Sequence, residues 1–276
     1  MRDQLKGIVC VTVGLLAAGP VLGEDQLFKD PITGCGITID AGADDVIDLV
    51  SWSGRCNDGK AEGAGVGLVV ANGGLAVRYD GVMSGGKMNG PGLLIYSVDE
   101  QYVKIFGTFV DGLPRGEARV SWPNGNEFYG TLDGSLDSGE GVYVDKDGGF
   151  LIGAFDDGAI TGDVFYATDD EEVFFGAFEN SAPREGTITY PNGNRYDGTF
   201  ADGEPSGNGV LTIAGQGVYF GAFADGLPNG EGMLVDSDGT VYRGTFLDGY
   251  AEGEVNVTQA DGTTSQQTWK DGEKVK

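Results

Sequence analysis

Two neighbouring stretches, VYFGAFADGLPNGEGMLVDSDGT (218–240) and VYRGTFLDGYAEGEVNVTQADGT (241–263), superpose at a shift of 23 residues. Both read aromatic-x-Gly-x-Phe, then Asp-Gly, then Gly-Glu, then an apolar run closing on Asp-Gly-Thr. A fixed period of that length is the signature of a stacked repeat and limits the fold before any other property is considered. The central glycine can be followed through Gly54, Gly81, Gly107, Gly130, Gly153, Gly176, Gly198, Gly221 and Gly244. A last partial copy, Gln267 to Gly272, keeps Trp269 at the Phe position.

Side chains on a strand alternate faces, so the aromatic, the glycine and the Phe of each copy point the same way. The following Asp-Gly pairs, such as Asp111-Gly112 and Asp225-Gly226, start a loop of positive φ that glycine adopts freely. A second strand begins at Gly-x-Gly, and Asn124-Gly125, Asp147-Gly148, Asn192-Gly193 and Asp238-Gly239 are dipeptides of tight hairpin turns. One repeat is one β-hairpin. The sequence therefore predicts an all-β, elongated, single-layer antiparallel meander of about nine consecutive hairpin repeats with a 23-residue period, spanning 51–272. About 19 strands at ~4.8 Å spacing give a twisted ribbon roughly 90 Å long. Aromatic rings from neighbouring strands are expected to cover the bare strand glycines.

The motif Tyr-x-Gly-x-Phe-x-x-Gly-x-x-x-Gly-x-Gly, whole at Tyr196–Gly209 and Tyr219–Gly232, resembles the MORN (membrane occupation and recognition nexus) repeat. Departures are Ser135 and Ser181 at the loop glycine, Ala118, Val164, Thr187 and Val255 at the last glycine, and Gln267. The resemblance implies a scaffold, tethering or dimerising module. Headgroup binding, which the family name suggests, requires clustered Lys and Arg. This chain has 17 Lys and Arg against 43 Asp and Glu, a net of −26. Nucleic acid and anionic membrane surfaces are accordingly poor partners.

Residues 1–23 read as a cleavable signal peptide: Arg2 and Lys6 start it, a mostly apolar run follows, and cleavage is expected near Gly23. An uncleaved anchor is the alternative, although the apolar run is short for a span. The mature chain is placed in the periplasm or outside the cell. Residues 24–50 carry no repeat and are expected to cap the array, because an outermost repeat otherwise exposes an edge. Residues 273–276 are a tail. Cys35 and Cys56, in an oxidising compartment, are expected to pair rather than remain thiols or hold a metal.

The chain contains no histidine, which excludes Ser-His and Cys-His nucleophile pairs and histidine metal sites. No Gly-rich stretch ends in the Gly-Lys-Ser/Thr of a phosphate loop. Asp145-Lys-Asp-Gly148 and Asp236-Ser-Asp-Gly239 look like the start of a calcium loop but lack its distal Glu, and read as turns. The acidic run Asp169–Glu172 reads as a solvated loop tip. No enzyme, cofactor or metal is expected.

The candidate binding face is the aromatic stripe: Trp52, Tyr79, Phe109, Phe155, Phe178, Tyr196, Phe200, Tyr219, Phe223, Tyr242, Phe246 and Trp269. In one reading these rings only cover glycines and one another. In the other they line a groove for a protein partner. The expected function is a non-catalytic exported scaffold or protein-protein interaction module. A carbohydrate- or divalent-cation-binding surface protein is the second expectation, and a homodimer through the edge after Trp269 is an expected assembly.

Overall fold

A computed structural model describes residues 24–41, 46–98 and 101–275; the expected signal peptide lies outside them. The described chain is all-β and divides into two compact units, through Gly158 and from Ala159 onward.

The first unit contains β1 (Glu24–Lys29), β2 (Gly36–Ala41), β3 (Ile47–Trp52), β4 (Arg55–Asn57), β5 (Lys60–Ala71) and β6 (Gly74–Ser84). It continues with β7 (Lys87–Val98), β8 (Gln101–Val110), β9 (Leu113–Ser121), β10 (Glu127–Asp133), β11 (Gly139–Val144) and β12 (Phe150–Asp156). From β5 to β12 each strand pairs antiparallel with the next, an open sheet of consecutive hairpins. The second unit repeats this plan in β13 (Ala159–Ala167), β14 (Val173–Glu179), β15 (Ala182–Thr189), β16 (Arg195–Ala201), β17 (Glu204–Ile213) and β18 (Gly217–Ala224). It ends with β19 (Leu227–Asp236), β20 (Val241–Leu247), β21 (Tyr250–Thr258), β22 (Thr264–Lys270) and β23 (Glu273–Lys274). Here too sequence neighbours pair in order.

Glycine meets glycine across the strands: Gly81↔Gly92, Gly198↔Gly209, Gly221↔Gly232. The reason is an aromatic ring lying flat over each pair. A methyl group on Gly92 would stand 2.5 Å from Tyr79 Oη, and one on Gly209 would stand 2.6 Å from Tyr196 Oη. No side chain fits under the ring, so glycine is required there by close approach. The hydroxyl then donates to a carbonyl past the glycine, Tyr79 to Val82 (3.0 Å) and Tyr196 to Thr199 (2.8 Å). Burial pushes the phenols of Tyr196 and Tyr219 up to about 12.

The turns differ in kind from the sequence expectation. At Asp58-Gly59, Asp111-Gly112, Asp202-Gly203, Asp225-Gly226 and Asp248-Gly249 both residues have positive φ, the Asp near +50°. These are the two-residue loops whose twist matches paired strands. Asn124-Gly125 and its equivalents lie in wider loops instead: Gly125 N–H donates to Trp122 O, and Trp122 N–H donates to Asn126 O. The tight turn thus follows the Phe, not the apolar run.

Successive tight turns are stitched together. Gly226 N–H donates to Pro205 O, Gly249 to Pro228 O, and Gly272 to Ala251 O. Each is a bond from one repeat's turn to the hairpin before it.

At the N-terminal end, β1 and β2 pair with each other, and β2 touches β5 through a parallel bridge at Gly36↔Lys60. Thr38 N–H donates to Gly86 O. Ile37 is buried, its Cδ1 next to Gly67 on the side of the Trp52 ring. This hairpin lies across the first repeats rather than extending their sheet. Its loop is held by Asp30, whose carboxylate accepts the N–H groups of Ile32 (2.7 Å), Thr33 (3.1 Å) and Trp52 (3.0 Å). Those bonds, the one from Trp52 foremost, hold the buried Asp30 carboxyl down at about 2. Cys35 and Cys56 are disulfide-bonded beside it, with Cα atoms 5.5 Å apart.

Candidate functional site

The aromatic stripe is not an open face. Of the twelve residues expected to form it, ten are no more than 7% exposed: Trp52, Tyr79, Phe109, Phe155, Phe178, Tyr196, Phe200, Tyr219, Phe223 and Phe246. Only Tyr242 and Trp269, in the last copies, are half-buried. The cause lies in the interval between repeats. In the second unit each ring over a glycine pair is gripped edge-on by the Phe of its own copy and by the Phe of the next, while in the first Tyr79 and Phe128 meet only the next copy's Phe109 and Phe155. Tyr196 stands 5.2 Å from Phe200 and 4.9 Å from Phe223; Tyr219 stands 5.3 Å from Phe223 and 4.9 Å from Phe246. Phe174 repeats the arrangement with Phe178 (5.3 Å) and Phe200 (5.7 Å). Edge-to-face pairs at such separations add about 0.5–1.5 kcal/mol each to the burial itself. The stripe is the core, and the groove reading is corrected to ring covering.

Strand alternation sends the residue just before each repeat glycine to the opposite face. That position holds Phe106, Tyr129, Ile152, Phe175 and Phe220, exposed by 64%, 40%, 45%, 60% and 40%. Cross-strand registers place Leu93 beside Phe106 and Val142 between Tyr129 and Ile152 in the first unit. In the second unit they place Phe165 beside Phe175, and Phe220 between Val210 and Met233. Each unit therefore carries an apolar row across its strands on the uncovered face. Sequence reasoning passed over this row because its position in the motif is variable, holding Asp80, Asp197 and Arg243 in other copies. The signal was present in the alternation alone.

In the first unit the row adjoins an open hollow of about 430 Å³ lined by Leu93, Lys104, Phe106, Arg119, Ser121 and Glu127. Arg119 bonds Glu127 and lies 5.1 Å from the centre of the Tyr129 ring, a cation–π distance. That ion pair depresses the Glu127 carboxyl, after the larger effect of the Tyr129 hydroxyl.

The Asp-rich turns use their oxygens on the backbone. Asp145 Oδ1 accepts from Asp147, Gly148 and Gly149 N–H at 2.8–3.1 Å. Asp236 Oδ1 accepts from Asp238 N–H, and Asp238 Oδ1 from Thr240 N–H. Among the described residues no three Cys, Asp or Glu side chains group as metal ligands. The run 169–172 is a solvated tip only at its first three residues. Glu172 turns inward, is buried, and accepts the Tyr166 hydroxyl at 2.9 Å. Burial raises its carboxyl above the usual range. The neighbouring Tyr190 hydroxyl is buried without a hydrogen-bond partner among the described residues.

No helix among the described residues is long and apolar enough to cross a membrane. No curated protein matches the chain. A family model of the MORN repeat matches residues 79–98, 106–127, 196–218 and 219–241; the first, third and fourth fall on ring-over-glycine hairpins, whereas in the second Gly107 faces Ala118 and Ile105 holds the ring position. Over these four stretches the chain is similar to MORN-repeat proteins.

Proposed function

We propose that this is an exported, non-catalytic scaffold that holds a protein partner on the uncovered face of its repeat sheet. MORN repeats generally serve as protein- or membrane-interaction modules. The observation that carries the reading is the set of five large apolar side chains exposed at one motif position, Phe106, Tyr129, Ile152, Phe175 and Phe220. Recurrent exposure of that kind marks contact surfaces. The charge balance favours protein over an anionic membrane. Export to the periplasm or beyond rests on the character of residues 1–23 and on the bonded Cys35 and Cys56.

No observation favours the carbohydrate- or cation-binding alternative, since the acidic turns spend their oxygens on backbone N–H groups. A homodimer through the terminal edge is the weaker assembly. β23 already pairs with the Trp269 end of β22, leaving a shorter length of strand to offer. The test is affinity purification of the tagged chain from its native compartment, with Phe106→Ser, Phe175→Ser and Phe220→Ser combined in a second sample. A discrete partner present with the wild type and lost from the triple variant is expected. Recovery of the same proteins with both, or of none with either, sinks the reading.

A further inference from the structure

We propose that the uncovered face of the second unit docks a basic segment in the polyproline-II conformation, with Lys or Arg at every third residue. This rests on the scaffold reading above and names the partner's chemistry. The starting point is the apolar row of that face, where Phe220 lies between Val210 and Met233 and Phe175 lies beside Phe165. Val218 and Val235, two positions along the same strands, share the face and are half-buried. This is a patch a partner gains by covering.

Asp197 and Arg243 interrupt the row itself, and along one side of it the charge is of one sign. Two residues along the strand from Phe165, Thr187, Met233 and Asn256 stand Asp163, Glu185, Glu231 and Glu254, all exposed. Each is the middle residue of a repeat's second-strand start, and they occupy β13, β15, β19 and β21, with Asn208 in the same place on β17. The strands between place only Ala177, Thr199, Ala222 and Thr245 in this line. A line of carboxylates separated by small residues therefore runs beside the apolar row. From Ala159 onward the chain has 20 Asp and Glu against 6 Lys and Arg, a net of −14. Two such faces repel each other, which disfavours a second copy and selects a cationic partner.

The spacing selects its conformation. Neighbouring strands lie about 4.8 Å apart, so carboxylates on alternate strands recur at about 9.6 Å. A polyproline-II helix turns once in three residues of ~3.1 Å, about 9.3 Å per turn. Its third residues thus keep step with the carboxylates while another of its faces meets the apolar row. An α-helix, at ~5.4 Å per turn, does not keep step. A polyproline-II segment also has its own backbone solvated and needs no free sheet edge.

The test is fluorescence anisotropy of labelled peptides against the full mature chain at low salt. The probe has about five Pro-Leu-Lys repeats, one control has the same composition with its lysines contiguous, and another has Gln for Lys. The repeat peptide is expected to bind at least about fivefold tighter than its clustered isomer, and the Gln peptide not to bind measurably. Phe220→Ser with Met233→Ser, and separately Glu231→Gln with Glu254→Gln, each weaken it by about tenfold or more. The carboxamide pair changes only exposed side chains and carries the test if the apolar pair misfolds. Equal binding of the two isomers, or no binding, overturns the proposal. So does a self-association that Phe220→Ser abolishes. A native partner lost with the outer-face variants while no peptide binds would leave the scaffold standing and remove this inference.

Discussion

Gly209→Ala is the sharpest probe of how the sheet is held. The added methyl would sit 2.6 Å from Tyr196 Oη and 2.7 Å from its Cζ, where carbon contacts settle at about 3.5–4.0 Å. The ring must withdraw by roughly 1 Å. It has nowhere to go, because Tyr196 is fully buried with Phe200 and Phe223 against it at 5.2 and 4.9 Å. Overpacking of a tight site costs about 1–3 kcal/mol. Moving the hydroxyl off Thr199 O removes a hydrogen bond of about 1 kcal/mol, giving about 3 kcal/mol in all. Gly209 has no positive φ, so backbone strain adds nothing. Denaturant melts of the wild type, Gly209→Ala, Tyr196→Leu and the double variant measure both the cost and the coupling. The double variant should be more stable than the summed single losses by at least about 1.5 kcal/mol, since the shorter side chain makes room for the methyl. A Gly209→Ala loss below about 1 kcal/mol, or additivity of the two changes, refutes the ring-over-glycine account.

Three further outcomes follow from the first unit's loop and the second unit's buried acid. Asp30→Ala leaves three N–H groups without their acceptor and should destabilise by about 2 kcal/mol at neutral pH. Because the folded carboxyl is depressed from 3.8 to about 2, that advantage is present above pH 3.8 and fades as pH falls through about 2; a pH-independent difference in denaturation midpoint would contradict it. Glu172 has the opposite sign: its folded carboxyl is raised by burial, so its contribution is full below the ordinary value of 4.5 and is lost as pH rises through the raised value. Glu172→Gln should therefore flatten thermal stability between pH 4.5 and 7, and an unchanged profile counts against the buried acid. Cys35→Ser with Cys56→Ser opens a loop of sequence separation 21 and should lower stability by about 3 kcal/mol in denaturant, measured against the wild type with and without reductant.

The hairpin period, the strand glycines and the rings above them were legible because each depends on residues within one repeat. What escaped depends on how strands pair and side chains pack in three dimensions. Whether Phe223 belongs to a groove or a core is decided by Tyr196, one copy earlier, closing on it at 4.9 Å. Asp111-Gly112 and Asn124-Gly125 share a turn composition, and only the strand pairing shows that the first makes the two-residue loop. Glu172 looked solvated beside Asp169 and Asp170, and the partner that draws it inward, Tyr166, is on the preceding strand. The exposed row was readable in principle, from alternation rather than from recurrence.

The likeness of the hairpins has a consequence for how the chain finds its alignment. A strand displaced by one whole repeat would meet the same glycine opposite it and the same ring above, so the wrong partner satisfies nearly every local contact. Register errors of that kind are held off only by features that break the copies' equivalence. The chain has several: the long turn between Asp133 and Ser138, Ser181 in place of a turn glycine, and the disulfide where Cys56 takes the Phe position. These irregular copies act as index marks along an otherwise translationally symmetric sheet. Making every repeat match 218–240 would strengthen each hairpin and remove the information that says which hairpin comes next.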